Sequence, residues 1–421
     1  MSTCPEGQTS LLEPRPYLLA NKIQHYAWGA RDKDAFIPRL LGIEAQADRP
    51  YAELWMGTHP NAPSDVIVDG ARVALSKLIA RYPLEILGEE VSARFSGAFP
   101  FLLKVLSAAE ALSIQAHPNK EQAVFLHAQD PAHYADDNHK PEIAIALDAL
   151  TALAGFRSLG DIVSSLARYP ELAGFIGPEV VRRLRRAGEP GEQEQRDLVR
   201  LMYATLMRRS ITHPAELAAS IAQLSERLRD SSAVLTQEER IFLDLARYEA
   251  DVGRFSVFLL NLLHLKKGQG IFIGPGVPHA YLKGNIVECM ATSDNVVRAG
   301  LTPKFKDIER LLDILTFETK AVSILGERPD LDDVTYRAPV SEFQVSWWGL
   351  KAGAEKRVSG NALRVLLVTQ GKILIRWGSG ADGDEEVFRQ GQAILIPAFL
   401  DEFRLVSRGL AELFRVKVPP R

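Results

Sequence analysis

The sequence of 421 residues predicts a mainly β protein with an α-helical insertion and two related jelly-roll barrels. Three observations support this fold class. Short apolar runs separated by Gly, Pro and Asn extend from residue 18 to residue 150, and helical periodicity then dominates residues 158–254. After the helices, strand texture returns and one strand–turn pattern occurs twice. We therefore expect a first barrel, a helical domain inserted into it and a second barrel.

The first barrel is predicted to begin after a short N-terminal tail. Residues 1–17 form this tail, because they lack the apolar stretch of a secretory signal and show no periodic pattern. Residues 18–157 then have the texture of strands and turns, as in Tyr26–Gly29 and Thr58–Asn61. We expect residues 255–325 to complete the same barrel.

The helical insertion is predicted over residues 158–254. Apolar side chains recur there mostly three or four positions apart among Arg, Glu and Gln. The pattern breaks at Ala187–Glu192, and Pro214 marks a helix start, because proline costs little in a first helical turn. Several short helices are therefore expected. One clear run is Leu217, Ile221, Leu224 and Leu228.

The pattern that occurs twice is a glycine turn, an apolar run and a proline. Its copies are Gly268–Pro275 and Gly391–Pro397, which we interpret as equivalent strands of two barrels. The first copy lies within residues 255–325 and is followed by His279, whereas the second lies within residues 326–421 and runs into an apolar segment. The sequence therefore predicts metal chemistry in the first barrel and no metal site in the second.

Composition narrows the classes of function. The chain is 46% hydrophobic and 24% charged, as in ordinary globular proteins, and its formal net charge is -3. No overall field would draw it to nucleic acid or to an anionic membrane, and no apolar run reaches the about 20 residues of a membrane span. Cys4 and Cys289 provide neither a disulfide framework nor a thiolate metal site. We expect a soluble cytoplasmic protein.

Two segments place polar side chains on one face of a predicted strand. Strict alternation in Leu112–Pro118 separates a polar face from an apolar one. Asn138–Ile145 follows the same logic. The polar residues of the two faces are Ser113, Gln115 and His117, and Lys140 and Glu142.

Together these faces suggest a metal site inside a barrel. A carboxylate, an amide and an imidazole are costly to bury unpaired, and a divalent cation would satisfy Glu142, His117 and Gln115 at once. His279 follows two prolines that restrict the backbone, and it would complete the set. Each residue alone is more often a surface or core group. Two His and one carboxylate also resemble the facial triad of iron oxygenases, against which a Gln ligand counts.

Six blocks of sequence extend the pattern well beyond these ligands. They are Tyr26–Gly29, Ala52–Pro60, Ala111–Lys120, Asp137–Glu142, Gly276–Leu282 and Glu288–Lys304. In combination they resemble the signature blocks of type I mannose-6-phosphate isomerases, and they occur in family order over about residues 18–307. The helical insertion and the second barrel match that family mainly in position and texture.

The resemblance implies a zinc enzyme with a catalytic cupin barrel, a helical domain and a second cupin-like barrel. One zinc ion per chain would be held by Gln115, His117, Glu142 and His279. The implied reaction interconverts mannose 6-phosphate and fructose 6-phosphate through an enediol, within mannose and carbohydrate metabolism. The protein is expected to act as a monomer. Whether it feeds glycolysis or GDP-mannose biosynthesis stays open.

The resemblance also suggests roles for other residues. Arg298 cannot lose its proton at working pH, so we expect it to stabilise the enediol, and Glu288 is the first candidate for the base. Asp294, Glu53 or a metal-held water are alternatives for the base. Candidates for the substrate phosphate or hydroxyls are Lys140, Ser113, Lys104 and Lys304. Trp28 and His59 are expected to pack or support rather than catalyse.

One further reading is a sugar-phosphate binding protein without catalysis. It would use the same pocket and would show ligand binding without turnover. Intact Arg298 and Glu288 count against it.

Overall fold

The computed structural model describes residues 12–188, 190–326, 333–378 and 383–420. The strands of these ranges pair antiparallel in sheets of eleven, eight and four strands, and most of the helical residues lie between Leu159 and Ser256. The predicted mainly β class with helices is thus confirmed at this level. Most of the predicted tail, including Cys4, lies outside the described residues. Tyr17 is an exception to the tail prediction, because it is buried and begins the first strand.

Before the helical segment, the described chain forms nine strands and five short α-helices. The strands are β1 (Tyr17–Ala20), β2 (Lys22–Gln24), β3 (Glu53–Met56), β4 (Asp65–Val68), β5 (Ala71–Ala74), β6 (Phe101–Ala108), β7 (Ile114–Ala116), β8 (Glu142–Ala146) and β9 (Leu150–Phe156). The helices are α1 (Phe36–Leu41), α2 (Leu75–Arg81), α3 (Pro83–Leu87), α4 (Glu89–Arg94) and α5 (Lys120–Gln129), with a 3-10 turn at Asp32–Asp34.

Helices then follow one another as the apolar spacing predicts. They are α6 (Leu159–Arg168), α7 (Pro170–Ile176), α8 (Pro178–Arg186), α9 (Glu192–Thr212), α10 (Pro214–Arg229), α11 (Gln237–Asp244), a 3-10 turn at Leu245–Tyr248, and α12 (Gly253–Ser256). Pro214 occupies the first position of α10, where its missing N–H costs little. None of the described helices combines the length and apolar character that a membrane crossing requires.

Strands return after the helices. They are β10 (Leu260–Leu265), β11 (Gly270–Ile273), β12 (His279–Ala291), β13 (Val297–Gly300), β14 (Ile324–Leu325), β15 (Asp333–Tyr336), β16 (Gln344–Leu350), β17 (Glu355–Ser359), β18 (Arg364–Gln370), β19 (Lys372–Trp377), β20 (Asp384–Arg389), β21 (Ala393–Ile396), β22 (Glu402–Val406) and β23 (Ala411–Lys417), with α13 at Ile308–Ile314. The two segments that share a sequence pattern form β11 and β21, so both are strands as expected.

The sheets do not follow the predicted domain boundaries. The eight-stranded sheet has the order β15-β16-β23-β18-β21-β1-β4-β5, so three N-terminal strands join the C-terminal segment. Leu18 pairs with Ile394 across this junction. The pairing partner of a strand is set by contacts distant in sequence, which local alternation does not encode. The division into domains stays a prediction. Its first boundary, between residues 17 and 18, lies within β1.

The eight-stranded sheet packs on both faces. On β18, Val365 and Leu367 belong to a core shared with the eleven-stranded sheet, whereas Leu366 and Val368 face the four-stranded sheet made by β17, β22, β19 and β20. This division follows from the two-residue period of a strand. The eleven-stranded sheet thus has one face on this core and a second face free to build a site.

Strand β12 organises the eleven-stranded sheet. Its first part pairs with β7 and β9, and its last part pairs with β6 and β8. It changes partners at Gly284. Only glycine fits there, because φ is 136° and a Cβ atom would lie 2.4 Å from the carbonyl oxygen of Ala149. Val287 and Cys289 face the shared core, so Glu288 between them faces the opposite side.

Candidate metal centre and substrate pocket

Three buried side chains converge where β7, β8 and β12 meet. His117 Nε2 lies 3.2 Å from Glu142 Oε1, and His279 Nε2 lies 3.3 Å from Glu142 Oε2. One potential ligand atom of each residue falls within 4.8 Å of those of the other two. All three side chains are at most 1% exposed. Such a cluster of two imidazoles and one carboxylate has the composition of a zinc site.

Local structure fixes both imidazoles. His117 follows β7 and precedes α5, whose N-terminus is capped by the Asn119 side chain. The turn before His279 contains Gly276, with φ of 70°, where a Cβ atom would lie 2.4 Å from the Ile314 carbonyl oxygen. Only glycine fits this turn, and its backbone N–H donates to the His117 carbonyl oxygen at 2.9 Å. The two histidine-bearing segments are therefore tied together through the backbone.

Each imidazole also has its second ring nitrogen occupied by a backbone carbonyl. His117 Nδ1 lies 2.8 Å from the Asn295 oxygen, and His279 Nδ1 lies 3.0 Å from the Val277 oxygen. A carbonyl only accepts, so Nδ1 donates and Nε2 keeps its lone pair. This is the arrangement by which proteins orient histidine ligands toward a metal.

Gln115 lies beside this cluster on β7. Its Cα is in register with that of His279 on β12 and with that of Arg298 on β13. The Gln115 amide nitrogen lies 3.5 Å from His279 Nε2, and Ser113 Oγ donates to Gln115 Oε1 at a long 3.5 Å. Rotating the amide by half a turn would exchange its nitrogen and oxygen and bring a ligand oxygen to the cluster.

The electrostatics of the cluster suit a cation. Burial lowers the pKa of His117 to about 4, more than the nearby Glu142 raises it, so the imidazole is neutral at pH 7. Burial disfavours ionised Glu142, yet the charge of the adjacent Lys140 holds its pKa well below the ordinary value. Within the described residues, His117 Nε2 and Glu142 Oε2 are buried without an aligned hydrogen bond. A metal would satisfy these two atoms, so the residues present fit a zinc ion.

A second buried cluster lies next to the first, on β3, β6 and β12. Lys104 Nζ is 3.3 Å from Glu53 Oε2 and 3.4 Å from Glu288 Oε2. Strand register explains both contacts. Lys104 pairs directly with Glu288 on one side, and on the other side it pairs with Trp55, two positions from Glu53 on the same strand face. Burial and the neighbouring Glu142 raise the pKa of Glu288 to about 7. A carboxyl group that titrates near neutral pH can take up and release a proton at working pH.

Both clusters open into one cavity of about 450 Å³. Arg298 reaches its wall from β13 and forms no ion pair with any described residue, and burial lowers the pKa of its guanidinium. Lys304 is exposed at the same wall. Lys140 also lines the cavity, but its Nζ is already 2.9 Å from Glu142 Oε1. All ten predicted site residues thus lie in or directly beside one cavity.

The structure places the two alternative residues for the base, Glu53 and Asp294, differently relative to the cavity. Glu53 lines the cavity, whereas Asp294 lies outside its lining and places Oδ1 3.1 Å from His59 Nε2. His59 is buried against Trp55, which agrees with a supporting role. Trp28 lines the cavity and stacks on Tyr26, so it contacts the ligand space as well as packing.

Tyr281, Arg247 and Tyr248 are among the lining residues that the sequence analysis did not single out. Tyr281 lies two positions after His279 on the same strand face, and this two-residue spacing could have identified it. Arg247 and Tyr248 come from the helical segment, and the Tyr248 hydroxyl donates to the Ala111 carbonyl oxygen at 2.6 Å. No local signal in the sequence indicates that this helical turn reaches the cavity.

Known proteins match this chain over most of its length. Residues 17–159 match the family described as phosphomannose isomerase type I, catalytic domain. The mannose-6-phosphate isomerases of Macaca fascicularis and Homo sapiens are each 38% identical over 379 residues, which cover 86% of this chain and 89% of the relative.

Solved structures agree with the sequence relatives. A crystal structure of mannose 6-phosphate isomerase with zinc bound has a TM-score of 0.83 and 31% identity, covering 96% of this chain and 100% of that one. The Salmonella typhimurium enzyme bound to fructose 6-phosphate and zinc has a TM-score of 0.82, with the same identity and coverage. This chain therefore belongs to the type I phosphomannose isomerase family of enzymes.

Proposed function

We propose that the protein is a zinc-dependent aldose–ketose isomerase that interconverts mannose 6-phosphate and fructose 6-phosphate through an enediol. One observation carries the proposal: one cavity is lined by Glu142 of the His117–Glu142–His279 cluster, by the titratable Glu288 and by Arg298, which forms no ion pair with a described residue. Isomerisation between C1 and C2 needs a proton acceptor and a positive environment for the oxygen that gains charge. The relatives' names and the substrate bound in a similar structure support the same reaction.

One zinc ion per chain would be held by Gln115, His117, Glu142 and His279. When bound, it would supply Lewis-acid polarisation of sugar oxygens. Glu142 is the single carboxylate of this set, so it gives the ion a charged ligand while the other three stay neutral. Lys140 faces Glu142 at 2.9 Å and fixes the orientation of that carboxylate.

Proton transfer is assigned to Glu288. Its carboxylate would take a proton from one carbon of the substrate and return it to the adjacent carbon. Lys104 lies 3.4 Å from this carboxylate and is held charged, because Glu53 and Glu288 outweigh the burial that lowers the pKa of its ammonium. Arg298 would donate to the oxygen that becomes negative in the enediol, since no described carboxylate competes for its guanidinium.

The substrate phosphate is assigned to the mouth of the cavity. Lys304 is exposed there and makes no ion pair with a described residue, whereas Lys104 and Lys140 are already engaged by buried carboxylates. The engaged lysines are therefore better placed to contact sugar hydroxyls than to bind a phosphate. Ser113 lies beside Gln115 and can donate a hydrogen bond to the sugar.

The proposal extends to the architecture. We propose that the eleven-stranded sheet forms a cupin-type catalytic barrel and that the C-terminal strands form a second barrel without a metal site. The helical segment would act as an inserted domain whose Tyr248 closes one side of the cavity. Cytoplasmic location and a monomeric state stay predictions from the sequence.

A coupled assay tests the reaction and the metal together. Fructose 6-phosphate formed from mannose 6-phosphate is measured with purified protein before chelation, after chelation and after zinc is added back. Activity that disappears and returns with zinc is expected. Folded, zinc-loaded protein without activity would contradict the isomerase proposal, and binding of the sugar phosphate without turnover would favour a binding protein.

A further inference from the structure

We infer that Asp136 is a positioning residue for the metal centre, although it does not contact any of the four proposed ligands. The inference rests on the proposed zinc site. Asp136 lies in the segment before β8, opposite the turn that joins β12 to β13. Neither segment is a strand, so side chains rather than a ladder must hold them together.

The Asp136 carboxylate collects four hydrogen bonds. Its Oδ1 accepts from Ser293 Oγ at 2.8 Å, from the Asn138 N–H at 2.9 Å and from Asn295 Nδ2 at 3.2 Å. Its Oδ2 accepts from the Asp294 N–H at 2.7 Å. Three successive residues of the β12–β13 turn therefore bind one carboxylate, which defines the shape of that turn.

The β12–β13 turn also positions the proposed ligand His117. Asn295 is fully buried, and its side-chain nitrogen also donates to the Asp136 and Asn138 carbonyl oxygens at 2.6 and 2.9 Å. Its own carbonyl oxygen accepts from His117 Nδ1 at 2.8 Å. Asp136 therefore acts on His117 through Asn295, by fixing the acceptor that aims His117 Nε2 at Glu142.

The two segments that the Asp136 carboxylate joins also carry other parts of the site. Downstream of Asp136, the segment leads through Asn138 to Lys140 and Glu142, and downstream of the turn it leads to Arg298 on β13. One group thus links the segments that carry a histidine ligand, the carboxylate ligand and the cation assigned to the enediol. Loss of its hydrogen bonds would release all three together.

The test compares Asp136→Asn with Asp137→Asn, the same chemical change at the next residue. Asp137 is exposed, and the ion pair of its carboxylate within the described ranges is with Lys120 Nζ at 3.6 Å. An Asn at 136 would turn an N–H group toward the Asp294 N–H or lose the bonds to Oδ1. The dissociation constant for zinc is measured by chelator competition on folded protein, together with kcat and KM at saturating zinc.

We expect Asp136→Asn to weaken zinc binding roughly 10- to 100-fold, which is the usual effect of losing an outer partner of a metal ligand. Its kcat should stay low at saturating zinc, since Arg298 is also displaced, while Asp137→Asn should match the wild type within about twofold. A zinc affinity of Asp136→Asn within twofold of the wild type would overturn the inference.

A second variant guards against misfolding. Ser293→Ala removes one of the four bonds to Asp136 and also the hydroxyl that accepts the Asn295 N–H at 3.1 Å. A hydrogen bond to a charged group contributes about 1.5–3 kcal/mol, and transmission of about 1 kcal/mol of this to His117 corresponds to roughly fivefold weaker zinc binding. Unchanged affinity in this variant would also overturn the inference. Zinc affinity is measured without substrate, so the two proposals can fail separately. Wild-type protein that binds zinc but does not isomerise would contradict the proposed function. The zinc affinities of the variants would still decide the role of Asp136.

Discussion

Replacing Glu288 with Gln should separate the catalytic use of this carboxyl group from its cost to stability. Glu288 is 3% exposed, and burial and Glu142 raise its pKa to about 7. Gln has the size of the neutral acid and cannot accept a proton from carbon. General base catalysis contributes roughly 10²- to 10⁴-fold, so kcat should fall by about that factor.

The same change should stabilise the metal-free protein at alkaline pH. The folded-state pKa of about 7 exceeds the ordinary value of 4.5, so between these two values the folded state holds a proton that the unfolded state has released. Stability therefore falls as pH rises through this window, and the full difference corresponds to about 3 kcal/mol above pH 7. Glu288→Gln should resemble the wild type near pH 4 and unfold at higher urea near pH 8.

The assay follows initial rates of fructose 6-phosphate formation from pH 5.5 to 9, and urea unfolding of chelated protein is measured near pH 4 and near pH 8. Wild-type kcat/KM should rise with pH as Glu288 ionises, and the midpoint should lie below the metal-free pKa of about 7, because bound zinc offsets the charge of Glu142. The variant should lack this rise. Glu355→Gln, at an exposed position of β17, is the control for a lost carboxylate. A variant with kcat within about tenfold of the wild type would refute the assignment and turn attention to Glu53.

Three further perturbations test other parts of the site. Arg298→Met should lower kcat by roughly 10²- to 10³-fold with little change in urea midpoint, because the guanidinium has no ion pair with a described residue to lose; an unchanged kcat would exclude it from the enediol. Lys304→Met should raise KM by roughly 5- to 10-fold and leave kcat within twofold, as expected for about 1 kcal/mol lost at an exposed phosphate contact; a lower kcat at constant KM would argue against phosphate binding. Gly276→Ala should lower the free energy of unfolding by about 1–3 kcal/mol and weaken zinc binding, since its Cβ would meet the Ile314 carbonyl; normal urea and zinc titrations would contradict this.

The sequence predicted those features of the site that depend on alternation along one strand. Gln115 and His117 stand two positions apart: His117 belongs to the buried cluster and Gln115 Nε2 lies 3.5 Å from His279 Nε2 beside it, although the strand itself covers only Ile114–Ala116. Glu142 opens β8, with Ile143 and Ile145 packed on the opposite face, as the pattern indicated. The prediction that these segments meet at one point came from the family resemblance, because spacing along the chain does not determine which strands are neighbours.

Features that depend on strand register could not be predicted. Lys104 lies in a continuous apolar run, and nothing local to β6 indicates that it meets Glu53 from β3 and Glu288 from β12. The membership of β1 in the C-terminal sheet is hidden for the same reason. Register and sheet order are decided by packing of both faces at once, so they require the three-dimensional structure.

The charges of the cavity explain why a chain with a formal net charge of -3 can attract a sugar phosphate. The walls carry five cations and three carboxylates: Lys104, Lys140, Arg247, Arg298, Lys304, Glu53, Glu142 and Glu288. With every group ionised, the cations exceed the carboxylates by two, so the cavity already attracts an anion. A divalent ion at the His117 cluster makes the cavity more positive, and a low-dielectric wall concentrates that field at the mouth. Metal removal should therefore weaken binding of fructose 6-phosphate as well as turnover, so the metal centre serves recognition and chemistry through one electrostatic effect.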